Sequence, residues 1–306
     1  MTKKLDEIDW LKLLKVDPIK FKAWFNLVEE KKVDELTVKF YSLKFTNDKP
    51  DYEGFIRYLY NQVESYVFEE IEIKEIREDG DNPQEKALSY FGDIDPISDG
   101  SYGELILYLF VEAILQAPLV VHKVSQTYND NDQVKGSDGI FIGNINDKPT
   151  LLIGESKMRN SFNKCVKDAL ESLSRYINTP EAIERELCVA KKHLSRDLNN
   201  LDKETLDLIY KSFRTKQPEF NEYDLCYPAF LMYKEDKINE MLSKKLPDIE
   251  KEINTFLSSL KKKRIKYITK SLPKTNDITL EFFMMPVNNV NDFRKLCYDV
   301  FHENKV

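Results

Sequence analysis

Apolar and polar positions change period several times along this chain, and each change predicts an element. Trp10 to Leu14 and Phe21 to Val28 have helical apolar spacing, while Glu35 to Phe45 alternates and predicts a strand. A helix is expected from Tyr52 to Glu64, with Phe55, Ile56, Leu59 and Tyr60 on one face, then a strand from Val67 to Ile76. Turn-forming residues follow at 78–83 and 93–100. An apolar helix from Gly103 to Gln116 ends before Pro118. Three strands come next, at Leu119–Ser125, Ser137–Gly143 and Thr150–Lys157. A helix then covers Ser161–Tyr176, with Val166, Leu170 and Leu173 facing inward, and Thr179-Pro180 opens another. Further helix is expected at 202–213 and from Lys237 to about Leu260. Strands are expected at Asp224–Tyr233 and Ile278–Met285, and a last helix at Val290–Phe301. Pro228 places the strand that contains it at a sheet edge or a bulge.

The elements divide at the two turn-rich loops. The expected organisation is a smaller α+β domain over 1–88 and a larger α/β domain over 89–306, with a mixed sheet flanked by helices. At 42% hydrophobic and 32% charged, the 306-residue chain has an ordinary globular composition. Glu112 and Gln116 interrupt its longest apolar run, so no stretch has the ~20 apolar residues of a membrane helix. The start, Met1 to Glu7, turns acidic before any apolar core, unlike a signal peptide, and the cytoplasm is the expected location. Four scattered cysteines and three scattered histidines argue against a zinc site or a disulfide framework. A metal here would be held by carboxylates, which suit Mg²⁺ or Mn²⁺. The net charge of −7 is unevenly spread. Residues 1–100 carry 15 basic and 23 acidic side chains, and the remainder is close to neutral. A neutral larger domain should bind nucleic acid weakly alone and depend on a partner for affinity.

The order helix, strand, two-stranded hairpin, helix, strand resembles the core of the PD-(D/E)xK nucleases. Lys135-Gly136-Ser137-Asp138-Gly139 opens the second strand and Gly154-Glu155-Ser156-Lys157 ends the third. These are the positions at which that family keeps its metal site. Hydrolysing a phosphodiester needs a cation to polarise the phosphoryl oxygen and to acidify a water. Two acids on neighbouring strands hold one rigidly. Side chains alternate along a strand, so Glu155 and Lys157 share a face while Ser156 turns away and offers its backbone carbonyl as a ligand. Lys157 can orient the water, take its proton or stabilise the transition-state charge. The resemblance implies a third acid on the preceding helix, and Glu104 matches it; the plainer reading is an acid favoured by a helix N-terminus.

Other readings compete elsewhere. An isolated D…ExK spacing arises readily by chance, and only the order of elements lifts it above that. Arg159 and Lys164, with Asn160 and Asn163, are nucleic-acid candidates by position alone. Lys261, Lys262, Lys263 and Arg264 could follow a phosphate backbone, but a cationic helix C-terminus is the preferred reading. His122 reads as a core histidine, and Trp10 and Trp24 as N-terminal core.

Four segments carry a narrower resemblance: Gly103 to Leu107, Pro118 to Ser125, Lys135 to Ile142 and Leu152 to Lys157. Together they resemble HamA, the nuclease family of the Hachiman anti-phage defence system. That resemblance implies a DNase of little sequence specificity, restrained by a partner helicase, HamB, until abnormal DNA is sensed. Two alternatives stay open: a nuclease of the same fold acting on RNA or a particular DNA structure, and a non-catalytic partner-binding module.

Overall fold

The computed structural model describes residues 4–91, 95, 97, 99–121, 136–195, 197–198, 201–244, 247–272 and 278–302. His122, Lys135 and most of the strand expected at 119–125 lie outside them. After two 3₁₀ turns, Leu5–Glu7 and Trp10–Leu13, come α1 (Pro18–Lys22), β1 (Phe25–Val33), β2 (Leu36–Leu43) and the short pair β3 (Phe45–Thr46) and β4 (Lys49–Pro50). Five helices follow: α2 (Tyr52–Tyr60), α3 (Val63–Val67), α4 (Glu70–Glu78), α5 (Pro83–Leu88) and α6 (Ser101–Phe110), the last running into a π turn at Val111–Leu115. The second half contains β5 (Gly139–Ile145), β6 (Lys148–Arg159), α7 (Phe162–Asn178), α8 (Pro180–Lys192), α9 (Lys203–Ser212) and β7 (Asp224–Lys234). It closes with α10 (Asp236–Leu242), α11 (Ile249–Ser271), β8 (Thr279–Val287) and α12 (Val290–His302).

The main sheet has the order β1-β2-β8-β7-β6-β5. The outer pairs β1–β2 and β6–β5 are antiparallel, and β2–β8, β8–β7 and β7–β6 are parallel. Both faces are covered, which is why β7 and β8 read as nearly continuous apolar runs. The mixed sheet flanked by helices is the expected fold class. One face carries α2, α6 and α12 and the other α7, α8 and the end of α11. The β5–β6 hairpin turns at Asn146 and Asp147, both with positive φ (52° and 61°), as a tight type I′-like turn requires.

The expected division near residue 88 is not a division of this sheet. β2 pairs in parallel with β8, and Phe110 of α6 lies 4.9 Å from the ring of Phe21, 5.2 Å from Phe25 and 5.0 Å from Phe283. The first hundred residues therefore share one sheet with β8 and one core with β8 and α12.

Four local expectations need correction. Residues 21–28 do not continue as helix. Asp17 caps the brief α1, and from Phe25 the chain pairs with β2 in a hairpin that turns at Asp34 (φ 51°). Residues 70–76 form helix rather than strand: Glu72 accepts the Glu69 N–H at 3.0 Å and closes the first turn. Ile73 and Ile76, three apart, then face the core while Ile71 stays 43% exposed. Pro228 lies in the sheet interior, at neither an edge nor a shift of register. The β6–β7 partners stop at Leu152↔Cys226 and resume at Glu155↔Ala229, and Pro228 falls in that interruption, where the ladder does not need its missing N–H. The helix expected to end near Leu260 extends to Ser271, so the basic run occupies its last turns. Trp10 and Trp24 are both apolar packing residues, but on opposite faces of the sheet.

Candidate active site

The hairpin β5–β6 sets the geometry. Its register pairs Gly139 with Gly154, so Asp138, one residue before β5, lies across from Glu155. The Asp138 N–H donates to the Gly154 carbonyl at 2.9 Å and fixes that approach. The Asp138 carboxylate accepts from the Ser156 N–H at 2.6 Å and from the Ser156 hydroxyl at 2.8 Å. A serine expected to supply only its backbone carbonyl thus also holds the first acid through its side chain. The Ser156 side chain faces α6, where a Cβ on Gly103 would come within 3.2 Å of its hydroxyl. A glycine at 103 therefore lets α6 lie against β6.

Glu155 is 2% exposed and faces the α7 side of the sheet with Lys157, whose ammonium ion-pairs with it. Burial pushes the Glu155 carboxyl up to about 7, and the Asp138 charge adds to this; Lys157 and a hydrogen bond from Ser172 oppose it. Glu155, raised in part by the acid facing it across the hairpin, forms with Asp138 a pair that a divalent cation would relieve, and their oxygen donors suit Mg²⁺ or Mn²⁺.

Glu104 is in the first turn of α6 and accepts from the Tyr66 hydroxyl at 3.5 Å. The charges of both Glu104 and Asp138 act on Tyr66, which burial holds well above the usual phenol range. Tyr66 therefore sits close to both acids. Among the described residues, no three Asp, Glu, His or Cys side chains come together closely enough to hold a metal ion. Glu104, Asp138 and Glu155 are instead turned toward Tyr66, Ser156 and Lys157 respectively.

Two further residues build this site without a sequence signal. Glu186 of α8, 8% exposed, accepts from the Ser137 N–H at 3.1 Å, the Ser137 hydroxyl at 2.7 Å and the Tyr176 hydroxyl at 3.4 Å. Ser137 precedes Asp138, so Glu186 anchors the backbone from which Asp138 projects. Tyr66 is the second. A capping-type or spacing pattern could not have found either, because their partners are 38 and 49 residues away.

The basic candidates separate into two places. Arg159 donates to Asp168 of α7 at 2.7 Å, and Lys164 is exposed on the first turn of α7. Lys261 pairs with Glu29 at 2.6 Å. Arg264 pairs with Glu235 at 2.6 Å and stacks 4.1 Å over Phe162, fastening α11 to β7 and α7. Lys262 and Lys263 are exposed on the same helix. Cys165, Cys188, Cys226 and Cys297 are all free thiols. Among the described residues, no helix is long and apolar enough to cross a membrane.

A model of the HamA family matches residues 19–301. No curated protein matches the chain.

Proposed function

This chain belongs to the HamA family of the Hachiman defence system, and from that premise we propose that it is a metal-dependent DNase with a PD-(D/E)xK site. The observation that carries this reading is the placement of Asp138 opposite Glu155, with Lys157 on the same face as Glu155. The surrounding topology supports it. After α6, the segment at 118–120 pairs antiparallel with β5 (Val120 N–H to Ile140 O at 3.0 Å, Ile142 N–H to Pro118 O at 3.2 Å). β5 then pairs antiparallel with β6, α7 follows, and β7 lies parallel to β6. Helix, a bridged segment, an antiparallel hairpin, helix and parallel strand follow the order expected of that nuclease core.

In this proposal Asp138, Glu155 and the Ser156 carbonyl would hold the cation, with Glu104 as the acid from the helix side. A bound Mg²⁺ or Mn²⁺ supplies charge to the phosphoryl oxygen and lowers the pKa of a water. Ser156 and Glu186 keep Asp138 in place. Lys157 orients the attacking water; the water oxygen bonds to phosphorus as the bond to the leaving sugar oxygen breaks, and a proton passes to that oxygen. The acidic first hundred residues and a nearly neutral remainder suit a nuclease that reaches DNA through a HamB-like helicase and is restrained by it.

Plasmid cleavage in Mg²⁺ or Mn²⁺, with and without the partner helicase, tests the proposal. Loss of cleavage in Glu155→Gln and Lys157→Ala, with unchanged circular dichroism, is expected. Full cleavage by both variants would refute the site. Cleavage of RNA but not DNA would move the substrate. No cleavage of either, with the helicase still bound, would leave a partner-binding module.

A further inference from the structure

Past Lys157, the end of β6 opens onto a groove of about 390 Å³ formed with the starts of α7 and α12. Among the described residues Arg159, Lys164 and Arg294 line it with no acidic side chain, while Arg159 also pairs with Asp168 of α7 at 2.7 Å. The first turn of α7 faces this region, and Ser161 at its N-cap makes no capping hydrogen bond. A 17-residue helix without a side-chain cap brings its first-turn N–H groups and the positive end of its dipole to this region. α12 differs, since the Asn289 side chain accepts from the N–H groups of Asn291 and Asp292 at 3.0 and 3.3 Å.

Arg294 supplies an independent sign of a ligand. It is 7% exposed, donates through Nη1 to the Ile97 carbonyl, and keeps a buried Nε with no hydrogen-bond partner among the described residues. Burial and the nearby Arg159 charge both work against its guanidinium charge, and Asp99 and Asp95 offset them in part. A buried arginine beside a second arginine, with an unfilled donor, is stabilised by an anion. Arg159 is two residues beyond Lys157 and on the same face of β6, about 6.6 Å along the strand. That distance resembles the separation of neighbouring phosphates on one nucleic-acid strand.

We propose that this groove is a metal-independent phosphate subsite, with Arg294, Lys164 and the α7 N-terminus holding a backbone phosphate next to the scissile one. Anion binding itself follows from the groove; its assignment to a nucleic-acid strand rests on the nuclease reading.

The test is calorimetric titration of the full chain in EDTA, first with inorganic phosphate and then with a short single-stranded DNA oligonucleotide. Saturable binding of both is expected, weakened about tenfold or more by Arg294→Gln, as loss of a charge-assisted hydrogen bond implies. Lys164→Glu, on an exposed position, should weaken both without affecting folding and flatten the salt dependence of oligonucleotide binding by roughly one phosphate contact. Lys74→Glu, on an exposed position of α4 outside the groove, should bind like the parent chain. Lys164→Glu carries the test if Arg294→Gln does not fold. Absent binding, or binding unchanged in Lys164→Glu, would overturn the subsite. Phosphate binding without oligonucleotide binding would overturn its assignment to nucleic acid. These titrations need no cleavage, so a failure here is separable from a failure of Glu155→Gln and Lys157→Ala to abolish it.

Discussion

Glu186→Ala isolates the contribution of a residue that anchors Ser137, the chain neighbour of a proposed metal ligand. The substitution removes a nearly buried carboxylate and leaves the Ser137 N–H, the Ser137 hydroxyl and the Tyr176 hydroxyl without it. The two short bonds, at 3.1 and 2.7 Å, carry most of the effect. Hydrogen bonds to a charged group contribute about 1.5–3 kcal/mol each, and partial relaxation and water entry reduce their sum. A loss of roughly 3–4 kcal/mol of stability is expected. Glu186→Gln keeps an acceptor for Ser137 and a partner for Tyr176, so it should cost only about 1 kcal/mol. Urea unfolding at fixed pH measures both. The same pair of variants tests positioning through the Mg²⁺ dependence of cleavage below the melting temperature. If Ser137 is freed, Asp138 is less well held, and Glu186→Ala should need more Mg²⁺ for half-maximal rate while approaching parental cleavage at saturation. An unchanged Mg²⁺ midpoint alongside the expected stability loss would refute the positioning role. A stability change below about 0.5 kcal/mol would refute the bonding argument itself.

Two further predictions follow from buried groups away from the site. Glu112 accepts the N–H groups of Lys15, Val16 and Leu119 at 2.8, 3.1 and 3.0 Å, yet burial pushes its carboxyl from 4.5 up to about 7 against those donors. The folded state then holds a proton that the unfolded chain releases, so this group's contribution to stability falls as pH rises from about 4.5 to about 7, by at most roughly 3 kcal/mol. Urea midpoints across that window should fall less steeply in Glu112→Gln; an identical slope would refute the assignment. Gly143→Ala places a Cβ 2.9 Å from the Ala117 Cβ and 3.0 Å from its Cα, a contact with backbone that cannot rotate away. A loss of about 1–3 kcal/mol in thermal or urea unfolding is expected, and parental stability would show that the 116–118 segment yields freely.

Where periodicity and packing agreed, the elements were legible. α7 buries Val166, Leu170 and Leu173 as its spacing requires, and the hairpin β5–β6 turns at the Asn146-Asp147 pair expected of such a turn. The failures have a common cause. Residues 25–28 and 70–76 carry patterns compatible with either period, and their outcome was set by a hairpin partner and a first-turn carboxylate. Pro228 marks an interior strand because the ladder beside it is interrupted, a fact that belongs to two strands and not to one.

The sequence by itself determined the alternation that puts Glu155 and Lys157 on one face of β6, the helix that begins beside Glu104, and the mixed architecture of helices and strands. These follow from local geometry, in which each residue's direction depends only on its neighbours. Only the tertiary structure decided that β2 joins β8 in one sheet across residue 88, that Ser156 and Glu186 secure Asp138, and that Arg294 meets Arg159 in a groove. Those contacts join segments from 18 to more than 200 residues apart, and they form because burial leaves each charged or hydrogen-bonding group in need of a partner.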